Sequence, residues 1–374
     1  MPQENLEWYQ WLHRHPELSW QERETTVYLR GLLEQWGIPV LDTGLDTGLC
    51  AVIEGGLPGP TVALRADIDA LPVTEETGLP WTSETPGKMH ACGHDFHMAA
   101  LLGAARLLQQ QAASLPGRVK LVFQPAEESS QGAARVMETG VLEDVGAIFG
   151  LHVMPTLPKG LVGLTEGGNF AAIGRFAIRV KGKGCHAAQP HQGADPILAA
   201  AQLVQALQGV VSRNVDPMRP AVLSVTHMEA GSTWNVVPPE AFLEGTIRCF
   251  DEITQTVLDS RMEQICQGVA AATGTEITLE WTARHPGTDN SPALVALAES
   301  TARRLGMESA RVLPTMLGED FAFYQKKIPG LFITYGMEGA PLHHPSFAAD
   351  PDYLDQASRL LAGLAVDWLE GQAK

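Results

Sequence analysis

The chain has 374 residues, enough for two sizeable cores, and its 45% hydrophobic content belongs to a globular protein rather than a disordered one. Lysine and arginine number 26 against 43 aspartates and glutamates, and the resulting formal charge of -17 disfavours nucleic acid and anionic lipid as partners. No apolar run approaches a membrane span, Met1 to Gln10 lacks the features of a signal peptide, and the 5 scattered cysteines read as reduced thiols, so a soluble cytoplasmic protein is expected.

Glu4 to Leu12 and Glu22 to Trp36 predict amphipathic helices around a break at His15-Pro16. Cys50 to Glu54 and Thr61 to Arg65 predict strands separated by a Gly/Pro turn. Ala99 to Gln111 predicts a helix, and Val119 to Phe123 and Ala147 to His152 predict buried strands. Strands alternating with helices imply an α/β domain with a mainly parallel sheet. The texture changes near Gly174. Arg175 to Val180, Ala221 to His227, Ala241 to Phe250 and Glu276 to Trp281 read as strands, with helices over Pro196 to Val211 and Thr256 to Thr273. That β-α-β-β-α-β order is ferredoxin-like and predicts an α+β domain, residues 174–284, inserted into a catalytic domain of residues 1–173 and 285–374.

The densest chemistry lies in Met89-His90-Ala91-Cys92-Gly93-His94-Asp95-Phe96-His97, where sulfur, imidazole and carboxylate donors crowd nine residues. Glu127-Glu128, His152 and His343 add donors near predicted strand ends or loops. An open α/β sheet gathers ligands beyond the carboxyl ends of its strands, so these distant residues can share one edge. Five donors, Cys92, His94, Glu128, His152 and His343, exceed one tetrahedral site and point to two metals sharing a ligand. Thiolate and imidazole favour zinc, while the carboxylate also admits manganese, cobalt or nickel. His90 and His97 read as structural or supporting groups. In isolation Glu127-Glu128 reads as a solvated acidic turn; beside a metal, one acid can bind it while the other acts as a general base. Asp67 and Asp69 leave another strand, and Asp69 can orient a histidine ligand.

Read in order, His13 to Leu18, Arg65 to Pro72, Met89 to Asp95, Phe123 to Glu128, Gly150 to His152, Gly184 to His191, Asn235 to Pro238, Glu244 to Arg248, Gly318 to Phe321 and Leu342 to Pro345 carry a family likeness over nearly the whole chain. The chain resembles the metal-dependent amidohydrolase and peptidase family of aminoacylase, carboxypeptidase G and succinyl-diaminopimelate desuccinylase. Within it, the sequence looks closest to the branch of hippurate hydrolases, auxin–amino acid conjugate hydrolases and N-acetyldiaminopimelate deacetylases.

The resemblance implies a zinc-peptidase-like catalytic domain with an inserted lid that also forms a homodimer interface. It implies that Cys92, His94, Glu128, His152 and His343 bind two divalent ions, zinc or manganese first, with cobalt or nickel as alternatives. His343 is chosen over His344 because it directly follows Leu342 and stands one residue from Pro345, as in the family motif. Glu127 would be the general base and Asp69 an orienting aspartate. His186 would reach a neighbouring active site to stabilise the oxyanion, and Asn235 and Arg248 would hold the substrate. The implied activity is hydrolysis of an N-acyl amino acid or related small amide. Its rivals are a dipeptide or aminoacyl-conjugate peptidase on the same site, a metal-free Cys92 thiol hydrolase, and a non-catalytic binding protein.

Overall fold

The computed structural model describes residues 3–372. The chain divides into two compact units: Met1–Asn169 with Asp289–Leu313 and Glu319–Lys374, and Phe170–Thr288 with Pro314–Gly318.

The first unit is built on a seven-stranded sheet. Its strands lie side by side in the order Leu49–Glu54, Pro116–Gln124, Leu57–Asp67, Val145–Met154, Gly330–Gly336, Val162–Leu164 and Ser309–Arg311. The central pairings are parallel, as the alternation of strands and helices implies. Leu49–Glu54 instead runs antiparallel to Pro116–Gln124, and Gly330–Gly336 antiparallel to Val162–Leu164, so the sheet is mixed. The middle strands are apolar because helices cover them. Val62, Ala63 and Leu64 are buried, and the helices His94–Gln110 and Leu354–Gln372 pack on each other and on this sheet.

One predicted boundary moves in a way that matters. The helix expected from Ala99 begins at His94, so His94, Asp95 and His97 occupy its first turn. Gly93, just ahead of it, has φ of 89°, and a Cβ there would lie 2.4 Å from Val153 Cγ2. Only glycine fits that turn between Cys92 and His94.

The second unit contains a four-stranded antiparallel sheet in the order Glu276–His285, Ala172–Lys181, Glu240–Cys249, Ala221–Ala230. Helices Pro196–Asn214 and Glu252–Thr273 pack together on it around Phe176, Ile178, Leu203, Leu243 and Leu258. The first strand lies beside the fourth and third, which is the ferredoxin-like arrangement. Among the described residues, no helix is long and apolar enough to cross a membrane.

Within the first sheet, Arg65 is fully enclosed. Its guanidinium donates to Asp67 Oδ2 at 2.6 Å, Glu319 Oε1 at 2.9 Å, Asp320 Oδ1 at 3.0 Å and Gln124 Oε1 at 2.8 Å. Removing one partner of a buried pair strands the others. Arg65→Met is therefore expected to lower unfolding free energy by about 3–5 kcal/mol in denaturant titrations at neutral pH. An unchanged midpoint would contradict this role.

Candidate metal centre and active site

Four segments deliver donors to one place in the first unit. Cys92 lies in the turn before helix His94–Gln110, and His94 is that helix's first residue. Glu128 lies in the turn after strand Pro116–Gln124. His152 sits inside strand Val145–Met154 rather than beyond its end. His343 comes from a loop in which it adopts φ of 63°, with its N–H bonded to Ala91 O at 2.8 Å.

Cys92 Sγ stands 3.4 Å from His152 Nε2 and 3.3 Å from His343 Nε2. Glu128 Oε1 is 3.3 Å from His343 Nε2. Cys92, His94 and His152 place donor atoms within 4.8 Å of one another, and so do Cys92, Glu128 and His343. These triplets share the sulfur. The neighbouring His344 is exposed and pairs with Ser346 Oγ at 2.7 Å, so geometry brings His343 to the cluster and leaves His344 outside it.

The histidines differ in how their rings are used. His94 Nδ1 donates to Asp69 O at 2.8 Å, and its Nε2, 3.7 Å from Asp67 Oδ2, is buried without a hydrogen-bond partner. His97 uses both nitrogens: Nδ1 is 2.6 Å from Asp67 Oδ1, and Nε2 accepts from Val153 N at 3.0 Å. That fixes the strand beside His152 and leaves His97 a supporting group. His90 is buried with neither nitrogen hydrogen-bonded, and burial lowers its pKa to about 4.

Burial opposes charge on His94, yet Asp67 and Asp69 together lift its pKa to about 10. The Cys92 thiol is pushed well up by burial and then by Glu128 and Glu127. This is the reverse of an activated thiolate, which needs a positive environment, and it disfavours the metal-free thiol hydrolase. Glu127 is also pushed well up, by burial and by the carboxylates of Glu319, Asp320 and Glu128.

The donor set fits divalent cations. Buried polar atoms without partners are costly; here His94 Nε2 is buried with no hydrogen-bond partner, and the buried Glu128 Oε1 has only the 3.3 Å contact with His343 Nε2. Sulfur, imidazole nitrogen and carboxylate oxygen are the ligands of zinc and its neighbours. Cys92 would serve as a thiolate ligand, with bound cations compensating the negative charge that burial and the neighbouring glutamates otherwise oppose.

Asp69 ties these parts together. Its Oδ1 accepts from Glu127 N at 3.1 Å, and its Oδ2 accepts from Glu128 N at 3.0 Å and Ser19 Oγ at 2.7 Å. Ser19, Glu22, Arg65, Glu319 and Asp320 received no role from the sequence. Arg65 did carry a signal: a lone arginine in an apolar buried strand must be paired.

The other expected site residues lie in the second unit. The pair Cys185–His186 forms a two-residue strand against Val236–Val237, and Ala187 N donates to Asn235 O at 3.0 Å, so His186 and Asn235 are neighbours. Arg248 lies on strand Glu240–Cys249; its Nη1 donates to Ile247 O at 2.9 Å and to Thr246 Oγ1.

Comparison with known proteins agrees with this architecture. A family model, Peptidase family M20/M25/M40, matches residues 63–367. The chain belongs to that family, and with it is a metal-dependent amide hydrolase. It is 46% identical to an N-acetylcysteine deacetylase of Bacillus subtilis, over 96% of this chain and 95% of that protein. It is 43% identical to an N-acyl-L-amino acid amidohydrolase of Geobacillus stearothermophilus, over 72% and 73%. The solved structure of the Bacillus subtilis YXEP protein, described as a dinuclear metal binding peptidase of the M20 family, matches with a TM-score of 0.90 at 42% identity, covering 98% of each chain.

At the helix entrance, His13 Nδ1 is 2.6 Å from Asp95 Oδ2 and its Nε2 is 3.1 Å from Glu75 Oε1. Burial opposes its charge, but Asp95 and Glu75 raise its pKa from 6.5 to about 9. Because the folded value is the higher, the charged pair stabilises the fold fully below 6.5 and is lost as pH rises through about 9. The melting-temperature gap between wild type and His13→Gln should narrow across that window; a gap that widens with pH would contradict it.

Proposed function

We propose that the chain hydrolyses the amide bond of N-acyl amino acids or closely related small conjugates, using two divalent ions held by Cys92, His94, Glu128, His152 and His343. The observation that carries this reading is the convergence of five donors from four segments, with a sixth group, Glu127, within 4.8 Å of the His94 and Glu128 donor atoms. Zinc or manganese suits the set best, with cobalt or nickel as substitutes. When bound, the ions supply Lewis acidity to a water and to the amide carbonyl.

Glu127 would take the proton of the attacking water and return it to the departing amine nitrogen. What supports this is position: the Glu127 carboxylate lies within 4.8 Å of the His94 and Glu128 donor atoms. Asp69 would hold the Glu127 and Glu128 main chain while fixing the His94 ring with its carbonyl.

In the second unit, Ala188 N donates to His186 Nδ1 at 3.0 Å, which places the ring proton on Nε2. That N–H would stabilise negative charge developing on the carbonyl oxygen. Among the described residues, Arg248 has no carboxylate partner, and burial lowers its pKa. An arginine so placed suits a substrate carboxylate, and Asn235 would hold the adjoining amide. The inserted unit would serve as lid and as the interface of a homodimer, with His186 acting on the neighbouring site. A fully active chain that sediments as a monomer would contradict that arrangement.

The adjacent acids separate the roles. Glu127→Gln should keep two metals per chain by elemental analysis yet lose about 100-fold or more in kcat on an N-acyl amino acid panel. Glu128→Ala should lose metal. Full turnover by Glu127→Gln would overturn the base assignment. A metal-loaded wild type that releases no amine from any panel member would overturn the substrate class.

A further inference from the structure

The turn that carries Glu127 is strained. Ala126 adopts φ of 54°, a left-handed conformation that residues with a Cβ rarely take. It is buried, so its N–H needs a partner inside the protein. That partner is Glu22 Oε1 at 2.8 Å, across a separation of 104 residues. The next two N–H groups, of Glu127 and Glu128, go to Asp69. Three successive amides are thus held by two carboxylates. The turn closes on itself through Gly132 N, which donates to Ala126 O at 3.3 Å.

Glu22 holds an unusual place. It stands at the N-cap of helix Arg23–Gln35, where a short polar side chain normally accepts helix N–H groups, but its side chain makes no capping bond. Glu17 does that instead, accepting from Thr25 N at 2.8 Å and Glu24 N at 3.2 Å. The same segment is pinned beside Asp69: Ala70 N donates to Glu17 O at 2.8 Å, and Ser19 Oγ donates to Asp69. With capping handled by Glu17, the Glu22 carboxylate is buried and directed at the base turn.

We propose that Glu22 is a positioning residue for the hydrolytic reaction: by accepting the Ala126 N–H it holds Ala126 in its left-handed conformation and so aims the Glu127 carboxylate. This rests on the reading of Glu127 as general base. The effect on turnover comes through geometry, where small misplacements of a reacting group are costly. What matters is the acceptor oxygen, not the charge, so glutamine can replace Glu22 and alanine cannot.

The test compares Glu22→Ala, Glu22→Gln and Glu22→Ala/Ala126→Gly in metal-loaded protein, with Glu127→Gln alongside. Glu22→Ala should bind two metals and keep its KM while kcat falls on the order of 100-fold. Glu22→Gln should retain most of the turnover. Ala126→Gly should restore part of the kcat lost in Glu22→Ala, because glycine reaches positive φ without steric cost. Wild-type kcat in folded Glu22→Ala overturns the proposal, as does a Glu22→Gln that folds, binds both metals and is inactive. If Glu22→Ala does not fold, Glu22→Gln alone decides by the same criterion. Wild-type kcat in Glu127→Gln brings down the base reading; loss there with full kcat in Glu22→Ala brings down only the role of Glu22.

Discussion

The buried carboxylate of Asp69 is the junction on which the centre depends. Both of its oxygens are occupied by donors, from Glu127 N, Glu128 N and Ser19 Oγ, and its main-chain carbonyl accepts from His94 Nδ1. Burial alone would raise its pKa, yet His94, Ser19 and the Glu128 amide hold it below the usual carboxylate value. An ionised group kept inside the protein this way is a rigid acceptor. It fixes the tautomer of one donor, the backbone of a second and the backbone of the proposed base at once.

Beneath that junction lies a second ionic layer. Arg65 faces Asp67, Glu319 and Asp320, and Asp67 in turn holds His97, which accepts from Val153 N next to His152. The chain of contacts runs from the sheet to a donor on another strand. Acids nevertheless outnumber cations here. Burial and neighbouring acids push Glu319 up to about 8 and Asp320 to about 6, despite Arg65. A centre with that surplus of negative charge, and with His94 Nε2 buried and without a hydrogen-bond partner, suits divalent cations. Their charge would reverse the local preference for protons on Cys92 and Glu127.

Sequence and structure were legible to different depths. The alternation of strands and helices was enough to read the parallel core and the ferredoxin-like insert, because each strand carries its own apolar signature. The antiparallel outer strand Leu49–Glu54 was not, since pairing direction leaves no mark on a single strand. The start of the donor helix was misplaced from His94 to Ala99, because polar and small residues hide the helical period there. The run around Cys92 and His94 announced a donor cluster locally. His152 and His343 were attached to it by the sheet-edge argument and family likeness, as no local pattern links residues so far apart. Glu22, Ser19 and Glu319 had no legible role because each acts across a tertiary contact. A glutamate at an N-cap and an arginine inside an apolar strand were the faint marks of this machinery, and both become meaningful only once the fold supplies their partners.

The most direct measurement is anomalous diffraction at a metal absorption edge from crystals of the wild-type chain loaded with zinc or manganese. Two peaks are expected, sharing Cys92 Sγ, with His94, Glu128, His152 and His343 completing the pair of sites and Glu127 left out of both. A single peak, no peak, or Glu127 serving as a ligand in place of Glu128 would contradict a two-metal centre organised around Asp69.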